Sequence, residues 1–588
     1  MNFDLRYVPF SRYGSYLAFS CFDARGDEPG GLYLRTVHGG FNIGALGGQI
    51  ARVELLSGAL PVPFSVEATP ACLRLKGEAG QLEICLPEPS VIRLRGTGVG
   101  AWLSVDPAVY DYAFPAGGGR WQVNRASREL QFMLTPLAGQ WRVEVPWKIV
   151  NADRIVADLV PEAGTGTCEE AIEEFAGTWH PRPYSADFDT CLQSVQAEFQ
   201  RWLDHMPDLP APYAEARELA AYVNWSSVVA AQGHLARPAM YMSKNWMTNV
   251  WSWDHCFNAL ALVYKDPALA WDQLMLLFDV QDGNGALPDS VNDKRMLWNF
   301  CKPPIHGWTL RRMMERTDTG RLESLPHFIT VERLREIYEP LCRWTDWWFT
   351  FRDYDEDGIP QYNHGNDSGW DNATVFHVGM PVEGPDLSAF LVIQMEVLSE
   401  VTARLGDEVA ARAWQRRAEG LLARMLDHFW RGDHFVATRS GDHYVCEEGD
   451  SLFLFLPLIL GRRLPTDVRK ALVNGLTQPG RFITGHGLAT ESPRSPLYEP
   501  DGYWRGPIWA PSTMLLVEGL AACGENQLAR ELCRRFCAMA ARSGMAENFD
   551  ALTGQGLRDR AYTWTSSVFL VLGHEGNSGT RINADEHG

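Results

Sequence analysis

The sequence predicts an N-terminal antiparallel β-sandwich followed by a larger, mainly α-helical α/α toroid. Two observations carry this. The hydrophobic pattern changes from a period of two to a helical period near residue 165. Beyond that point helix–turn–helix patterns follow one another over roughly residues 185–575, as expected of inner helices that bury one face against a shared centre.

In the first part the runs are short and alternating. They include Leu73 and Leu75 in CLRLK, Leu82, Ile84 and Leu86 in QLEICL, Ile92 and Leu94 in VIRLR, and Val143 and Val145 in WRVEVPW. Gly, Pro or Ser punctuates each, which reads as strands of a sandwich spanning 1–165. Residues 166–187 read as a linker carrying one short helix, Cys168 to Phe175, between turn formers. The helical domain is expected over 188–575, with a tail at 576–588. Its clearest hairpin places Leu387, Phe390, Leu391, Val397, Leu398, Val401 and Leu405 on one helix. Gly406-Asp407 makes the turn, and Val409, Trp414, Leu421, Met425 and Phe429 mark the second helix. Leu515–Cys523 with Leu528–Phe536 repeats the design, and Ala216–Gln232 with Ala259–Asp279 suggest further pairs.

At 588 residues, 46% hydrophobic and 21% charged, the chain is long enough for two or more globular domains. A formal net charge of -20 opposes binding to nucleic acid and to anionic membranes. No apolar run approaches the roughly 18 residues of a membrane span, and no export signal is read at the N-terminus. Twelve cysteines, with no C-x-x-C pair, fit reduced thiols in the cytoplasm better than a disulfide framework or a zinc module. The 22 tryptophans offer flat platforms for sugar rings, although for any one of them core packing is as good a reading.

The chemically rich stretches fall in the connections between helices: MTNVWSWDHCF (247–257), FDVQDGNGALPDS (278–290), CKPPIHGW (301–308), YNHGNDSGWDNATVF (362–376), DGYWRGPIW (501–509) and MAENFDALTGQG (545–556). Loops gathered at one end of a toroid would line one pocket. A pocket of indoles, carboxylates and amides suits a small neutral carbohydrate.

In their order, GNDSGWDNAT, SWDHCFNALAL with QDGNGALPD, KPPIHGW, GYWRGPIW and ENFDALTGQG with YTWTSS resemble glycoside hydrolase family 63, and more distantly the trehalases of family 37. The resemblance covers roughly residues 220–570. It implies an (α/α)6 barrel catalytic domain that hydrolyses α-glycosidic bonds with inversion, Asp371 standing at the place of the general acid and Glu547 at that of the general base. Inversion needs such a pair, one protonated and one ionised, on opposite faces of the sugar. Read without the resemblance, Asp371 is equally a helix N-cap before NATVF, and Glu547 a solvated acid after a helix end at Gly544.

Trp253, Asp254, Gln281, His306, Trp370, Asn372, Trp504, Arg505 and Trp564 are the candidates for the sugar-binding wall. Arg505 reads alternatively as a structural salt bridge, and His306 as a satisfied loop histidine. Asp367 stands where many relatives carry Glu, which bears on substrate identity more than on the reaction. DYDEDG, 353–358, offers Asp353, Asp355 and Asp357 as a weak calcium candidate, although the twelfth position of such a loop is His364. No other cofactor is expected. Within the resemblance, an exo-acting α-glucosidase on oligosaccharides or small glucosides is the leading expectation. A mannosylglycerate or glucosylglycerate hydrolase is the alternative. A sugar epimerase using His306 and His364, or a non-catalytic carbohydrate receptor, are readings of a different class.

Overall fold

The structure, a computed structural model, describes residues 1–24, 30–40, 48–318, 328–445 and 448–578. These fall into two compact units. The first comprises Met1–Asp204 with Ala221–Ala230 and Ser243–Thr248; the second comprises the rest.

The first unit is built on two antiparallel sheets. One runs Leu17–Phe22, Gly31–Thr36, Gln49–Ser57, Gly100–Val105, Ile155–Val160, Gln140–Glu144, with Leu60–Val62 added to Gln49–Ser57. The other runs Tyr112–Gly117, Arg120–Arg125, Leu130–Ala138, Thr167–Phe175, Val91–Thr97, Gly80–Glu88, Leu73–Gly77, Ser65–Ala68. The alternating residues do what their period requires. Leu73 faces Ile84, and Leu75 faces Leu82 across the ladder. All four are fully buried in one apolar cluster shared by both sheets.

The expected helix at Cys168–Phe175 is instead a strand, Thr167–Phe175, in the middle of the second sheet. Its four glutamates hid the strand alternation, because charged residues are uncommon in a central strand. Three of them find partners: Glu169 meets Arg93, Glu173 accepts from Trp179 and Tyr184 at 2.8 Å, and Glu174 meets His38 at 2.9 Å. Glu170 points into the core, where burial drives its carboxyl well up. Helix α1 (Phe188–Asp204) also groups with this first unit, not with the helical one. The tail expected at 576–588 lies outside the described residues beyond Ser578.

The second unit is helical. Following α2 (Ala214–Ser227), it contains α3 (Asp254–Leu262), α4 (Pro267–Met275), α5 (His306–Asp318), α6 (Val331–Phe351), α7 (Pro385–Arg404), α8 (Glu408–Phe429), α9 (Thr466–Leu476), α10 (Ala510–Ala522), α11 (Asn526–Ser543) and α12 (Thr563–Ser578). The hairpin read around Gly406 is α7–α8. Gly406 adopts φ +89°, and the Asp407 carboxylate caps α8 by accepting from the Val409 and Ala410 N–H groups. The helical pattern read from Ala259 to Asp279 breaks where Asp266 caps a new helix and Pro267 opens it, so it forms the end of α3 and all of α4.

Two kinds of helix alternate along the chain. All nine residues of α3 are buried, as are most of α7 and α10, whereas α6, α8 and α11 are amphipathic with one buried stripe. The buried helices neighbour one another in turn: α3 packs on α5, α5 on α7, α7 on the segment Leu452–Arg463, that segment on α10, α10 on α12, and α12 back on α3. Each fully buried Leu on such a helix contributes about 1.5–3 kcal/mol. Most of the chemically rich stretches lie at the N-terminal ends of these inner helices: 247–253 before α3, 301–305 before α5, 362–376 before α7, 501–509 before α10 and 545–556 before α12. One end of the inner helices therefore carries the chemistry.

Candidate active site

The stretch before α7 shows why glycine and carboxylate alternate there. A single 3₁₀ turn, Gly365–Ser368, is capped by His364, whose Nδ1 accepts from the Asn366 N–H at 3.0 Å. A Cβ on Gly365 would stand 2.1 Å from the Asp371 carbonyl oxygen, and one on Gly369, at φ +74°, 2.4 Å from the Trp253 indole. Both glycines are required by close approach, Gly369 also by its left-handed backbone. Asp367 locks the turn from below: its Oδ1 accepts from Cys301 N–H at 3.0 Å, and its Oδ2 from Asn363 N–H at 3.0 Å and Arg352 at 2.8 Å. Asp371 emerges on this turn, and the N-cap of the following short helix, Thr374–Val378, is Ala373. The N-cap reading of Asp371 is thereby set aside.

Gly369→Ala combines a contact too close for a Cβ with a left-handed φ that strains an L-residue. It is expected to cost about 2–4 kcal/mol in stability and to lower activity by displacing Asp371. Denaturant unfolding and turnover measured together check this, and an unperturbed variant would contradict the packing described.

Asp371 stands in a dense electrostatic group. Burial raises its carboxyl above the usual range and the Asp289 carboxylate adds to this, while Lys302 opposes. Lys302 is itself buried. Its ammonium lies 3.0 Å from Asp289 and donates to the Asn366 carbonyl at 2.7 Å. Burial works against that charge, yet the Asp289, Asp371 and Asp254 carboxylates hold it above its ordinary value. Asp254, first residue of α3, is pushed well up by burial, with Lys302 opposing.

Glu547 lies just before the strand pair Asn548–Phe549 and Gly556–Leu557, and its N–H donates to the Asp559 carbonyl at 2.6 Å. It is buried, with Trp564 Nε1 donating to its own carbonyl at 3.2 Å. Burial drives its carboxyl up to about 8 and the Asp559 carboxylate adds to the rise, while Arg558 and a hydrogen bond from Tyr503 work against it. The Tyr503 phenol joins the two halves of the site, since the charges of both Glu547 and Asp371 bear on it. Tyr503 holds φ +64°, a strained backbone for a bulky residue, fixed by Trp509 Nε1 donating to its carbonyl at 2.9 Å. Asp371 and Glu547, about 175 residues apart in sequence, thus share one neighbourhood with Asp254, Lys302 and Tyr503.

The four predicted tryptophans are all within it, packed on one another. Trp504 stacks on Trp509 with centroids 4.0 Å apart and meets Trp370 at 4.7 Å. Trp253 contacts Trp504 at 6.2 Å and Trp564 at 6.1 Å. All are buried and packed ring against ring, and three of them directly precede or follow Asp254, Asp371 and Tyr503 in the chain, so the core reading and a positional one combine.

Other predicted wall residues brace the loops. Asn372 donates to the Gly502 carbonyl and accepts from Trp504 N–H, both at 3.0 Å, tying the Asp371 turn to the Tyr503 loop. Gln281 donates to the Gly285 and Pro340 carbonyls at 2.9 and 3.0 Å and accepts from Arg343, so both ends of its amide serve the loop fold. Arg505 pairs with Glu499 at 2.8 Å, the structural salt bridge of the alternative reading. His306 is fully buried between His255, Phe278 and Trp344, and burial holds it well below its usual value, unfit as a shuttle of protons. Asp353, Asp355 and Asp357 gather within 4.8 Å of one another. Their described bonds hold their own turn and dock the loop at 440–443, through Gly358, Ile359 and Gly441 N–H groups.

Sequence reasoning did not single out Asp289, Lys302, Tyr503, Arg558 and Asp559. Tyr503 was within reach, being part of DGYWRGPIW. The others carry no local signal, because their role arises from charges that the folded loops bring together.

The profile of the mannosylglycerate hydrolase MGH1-like glycoside hydrolase domain matches residues 247–565. A mannosylglycerate hydrolase from Thermus thermophilus is 24% identical over 397 residues, covering 54% of this chain and 93% of that protein. A glucosylglycerate hydrolase from Mycolicibacterium hassiacum is 23% identical, covering 55% and 91%. Among solved structures, a family 63 mannosylglycerate hydrolase from Thermus thermophilus superposes with a TM-score of 0.52 at 20% identity, over 60% of this chain and 99% of that one. A bacterial glucoamylase bound to acarbose superposes with a TM-score of 0.60 at 11% identity, over 99% and 94%.

Proposed function

Because the chain belongs to the MGH1-like glycoside hydrolases of family 63, we propose that it hydrolyses a small α-glycoside with inversion at the anomeric carbon. Asp371 protonates the leaving oxygen and Glu547 activates water on the opposite face. The observation that carries this reading is the pair of enclosed carboxyls, both raised by burial and both acting on Tyr503. Burial raises the Asp371 carboxyl and Asp289 adds to this against Lys302, the direction a proton donor needs. Glu547 is oriented through Tyr503 and moderated by Arg558. The helical unit is read as an (α/α)6 barrel, supported by the sequence of inner-helix neighbours.

We read the substrate as a hexosyl glycerate in place of a neutral oligosaccharide. The two hydrolases of Thermus thermophilus and Mycolicibacterium hassiacum named above act on mannosylglycerate and glucosylglycerate, and this chain offers a cation beside the Tyr503 ring. Arg558 lies 4.9 Å over the Tyr503 ring, partly exposed, and held at φ +56°. Its present partners, Asp501 at 2.5 Å and the Asn548 carboxamide at 3.2 Å, are groups a glycerate carboxylate can replace or join.

Proton NMR of the purified protein with α-mannosylglycerate, α-glucosylglycerate and neutral α-glucosides tests the reading. The β-anomer is expected first, with the glycerates preferred. Arg558→Met is expected to raise KM for the glycerates about 10-fold or more and to change a neutral glucoside only through the upward shift of the Glu547 carboxyl, so the two effects are separated by comparing the substrates at one pH. Formation of the α-anomer first would end the inverting mechanism, and equal cleavage of neutral glucosides would end the glycerate assignment.

A further inference from the structure

Behind Asp254, α3 begins with His255 and Cys256, and α5 begins with His306. All three side chains are fully buried. One ligand atom from each lies within 4.8 Å of the other two. We infer that His255, Cys256 and His306 form a binding site for one borderline-to-soft metal ion of the zinc(II) or copper(I) kind, fastening α3 to α5.

Three features of the cluster support this independently of one another. The first is the tautomer of His255. Its Nδ1 lies 2.9 Å from the Trp251 carbonyl oxygen, which only accepts, so Nδ1 carries the hydrogen and Nε2 presents its lone pair inward. A carbonyl holding the remote ring nitrogen of a ligating histidine is the usual outer support of a metal site. The second is spacing. His255 Nε2 stands 3.7 Å from Cys256 Sγ. Bonds of about 2.3 Å to sulfur and about 2.0–2.1 Å to nitrogen at a near-tetrahedral angle set those atoms about 3.6 Å apart.

The third is His306. Neither of its ring nitrogens has a hydrogen-bond partner among the described residues, and its ring centroid is 5.2 Å from that of His255. A neutral imidazole has one donor and one acceptor, and leaving both unmade in an interior is costly. A metal bond from one nitrogen accounts for half of that deficit directly. Two imidazoles and one thiol are the donor set that selects borderline and soft ions over magnesium or calcium.

The chemistry balances without a redox step. As the ion enters, the Cys256 S–H bond breaks, sulfur keeps the electron pair and forms the metal bond, and the proton passes to solvent buffer. Copper(I) with one thiolate and two neutral imidazoles is uncharged and three-coordinate. Zinc(II) would carry one residual positive charge and would need a fourth ligand beyond these three residues. With no exposure at any of the three residues, the ion is taken up as the chain folds.

Protein expressed in medium supplemented with zinc or, separately, copper and purified under reducing conditions is analysed by elemental mass spectrometry. About one ion per chain is expected, and which medium loads it distinguishes the two metals. Protein expressed with cobalt is expected to show a thiolate-to-cobalt charge-transfer band in the near ultraviolet. That band is expected to vanish in Cys256→Ser and to persist in Cys301→Ser, which removes a buried thiol outside the cluster. His306→Gln is expected to lose the ion and to melt at a lower temperature than the loaded wild type. Wild-type protein free of stoichiometric metal in all three media would overturn the inference, as would full loading of both Cys256→Ser and His306→Gln. If those variants do not fold, the wild-type cobalt spectrum decides alone: bands without thiolate character place the ion elsewhere.

Discussion

Asp371→Asn is expected to lower kcat on a glycerate substrate by about 10²–10⁴-fold, the usual worth of a general acid, while leaving substrate affinity within a few-fold. On an α-glycosyl fluoride, whose leaving group departs without protonation, the same variant is expected to keep most of its activity. Glu547→Gln is expected to fail on both, because every substrate needs an activated water. The contrast assigns the roles, which the carboxyls' own environments do not. Burial raises both, and Glu547, at about 8, is held higher than a base acting at neutral pH needs. A second arm uses Glu547→Ala with added azide, a small anion that needs no proton abstraction. Appearance of a β-glycosyl azide would mark Glu547 as the residue facing the water side. If the fluoride rescues Glu547→Gln and not Asp371→Asn, the roles are exchanged. If both variants keep full activity, the site lies elsewhere.

The boundary between what the sequence made readable and what it hid runs along chain separation. Strands such as Leu73–Gly77 and Gly80–Glu88, and the α7–α8 hairpin around Gly406, are specified within a few residues by period and turn chemistry, and they form as read. Thr167–Phe175 does not, since its strand state rests on Arg93, Trp179, Tyr184 and His38 answering its glutamates. The site follows the same rule. Asp371 and Glu547 were reached through motifs, and the tryptophans through composition. The Lys302–Asp289 pair is made by two loops 13 residues apart, and the Asn372 clamp on Gly502 by two loops 130 residues apart. Gln281 and Arg505 show why residue type alone leaves the role open: in a polar loop, a side chain suited to hydroxyl recognition is equally suited to bracing the loop itself.

The raised Glu547 carboxyl also makes a prediction about stability, and its sign follows from linkage. The group titrates at 4.5 in the unfolded chain and at about 8 in the fold. Between those values the folded protein holds a proton that the unfolded one has lost. The stabilisation from this group is therefore complete below pH 4.5 and is lost as pH rises through about 8, with a slope of at most about 1.4 kcal/mol per pH unit. Glu547→Gln keeps a hydrogen-bonding side chain of the same shape without the ionisation. It is expected to gain melting temperature over the wild type progressively from pH 5 to pH 8, with the gain levelling off above that. The same group should appear in catalysis as an apparent pKa near 8 in kcat/KM. Asp559→Asn, which removes the neighbouring charge that raises it, should move that value down, and Arg558→Met, which removes the opposing cation, should move it up. A melting difference independent of pH would mean that Glu547 is ionised throughout, with its cost met by contacts other than those described. Parallel movement of the melting difference and the kinetic pKa in Asp559→Asn would show that one buried carboxyl sets both, so that the charge needed to activate water is held at the expense of the fold.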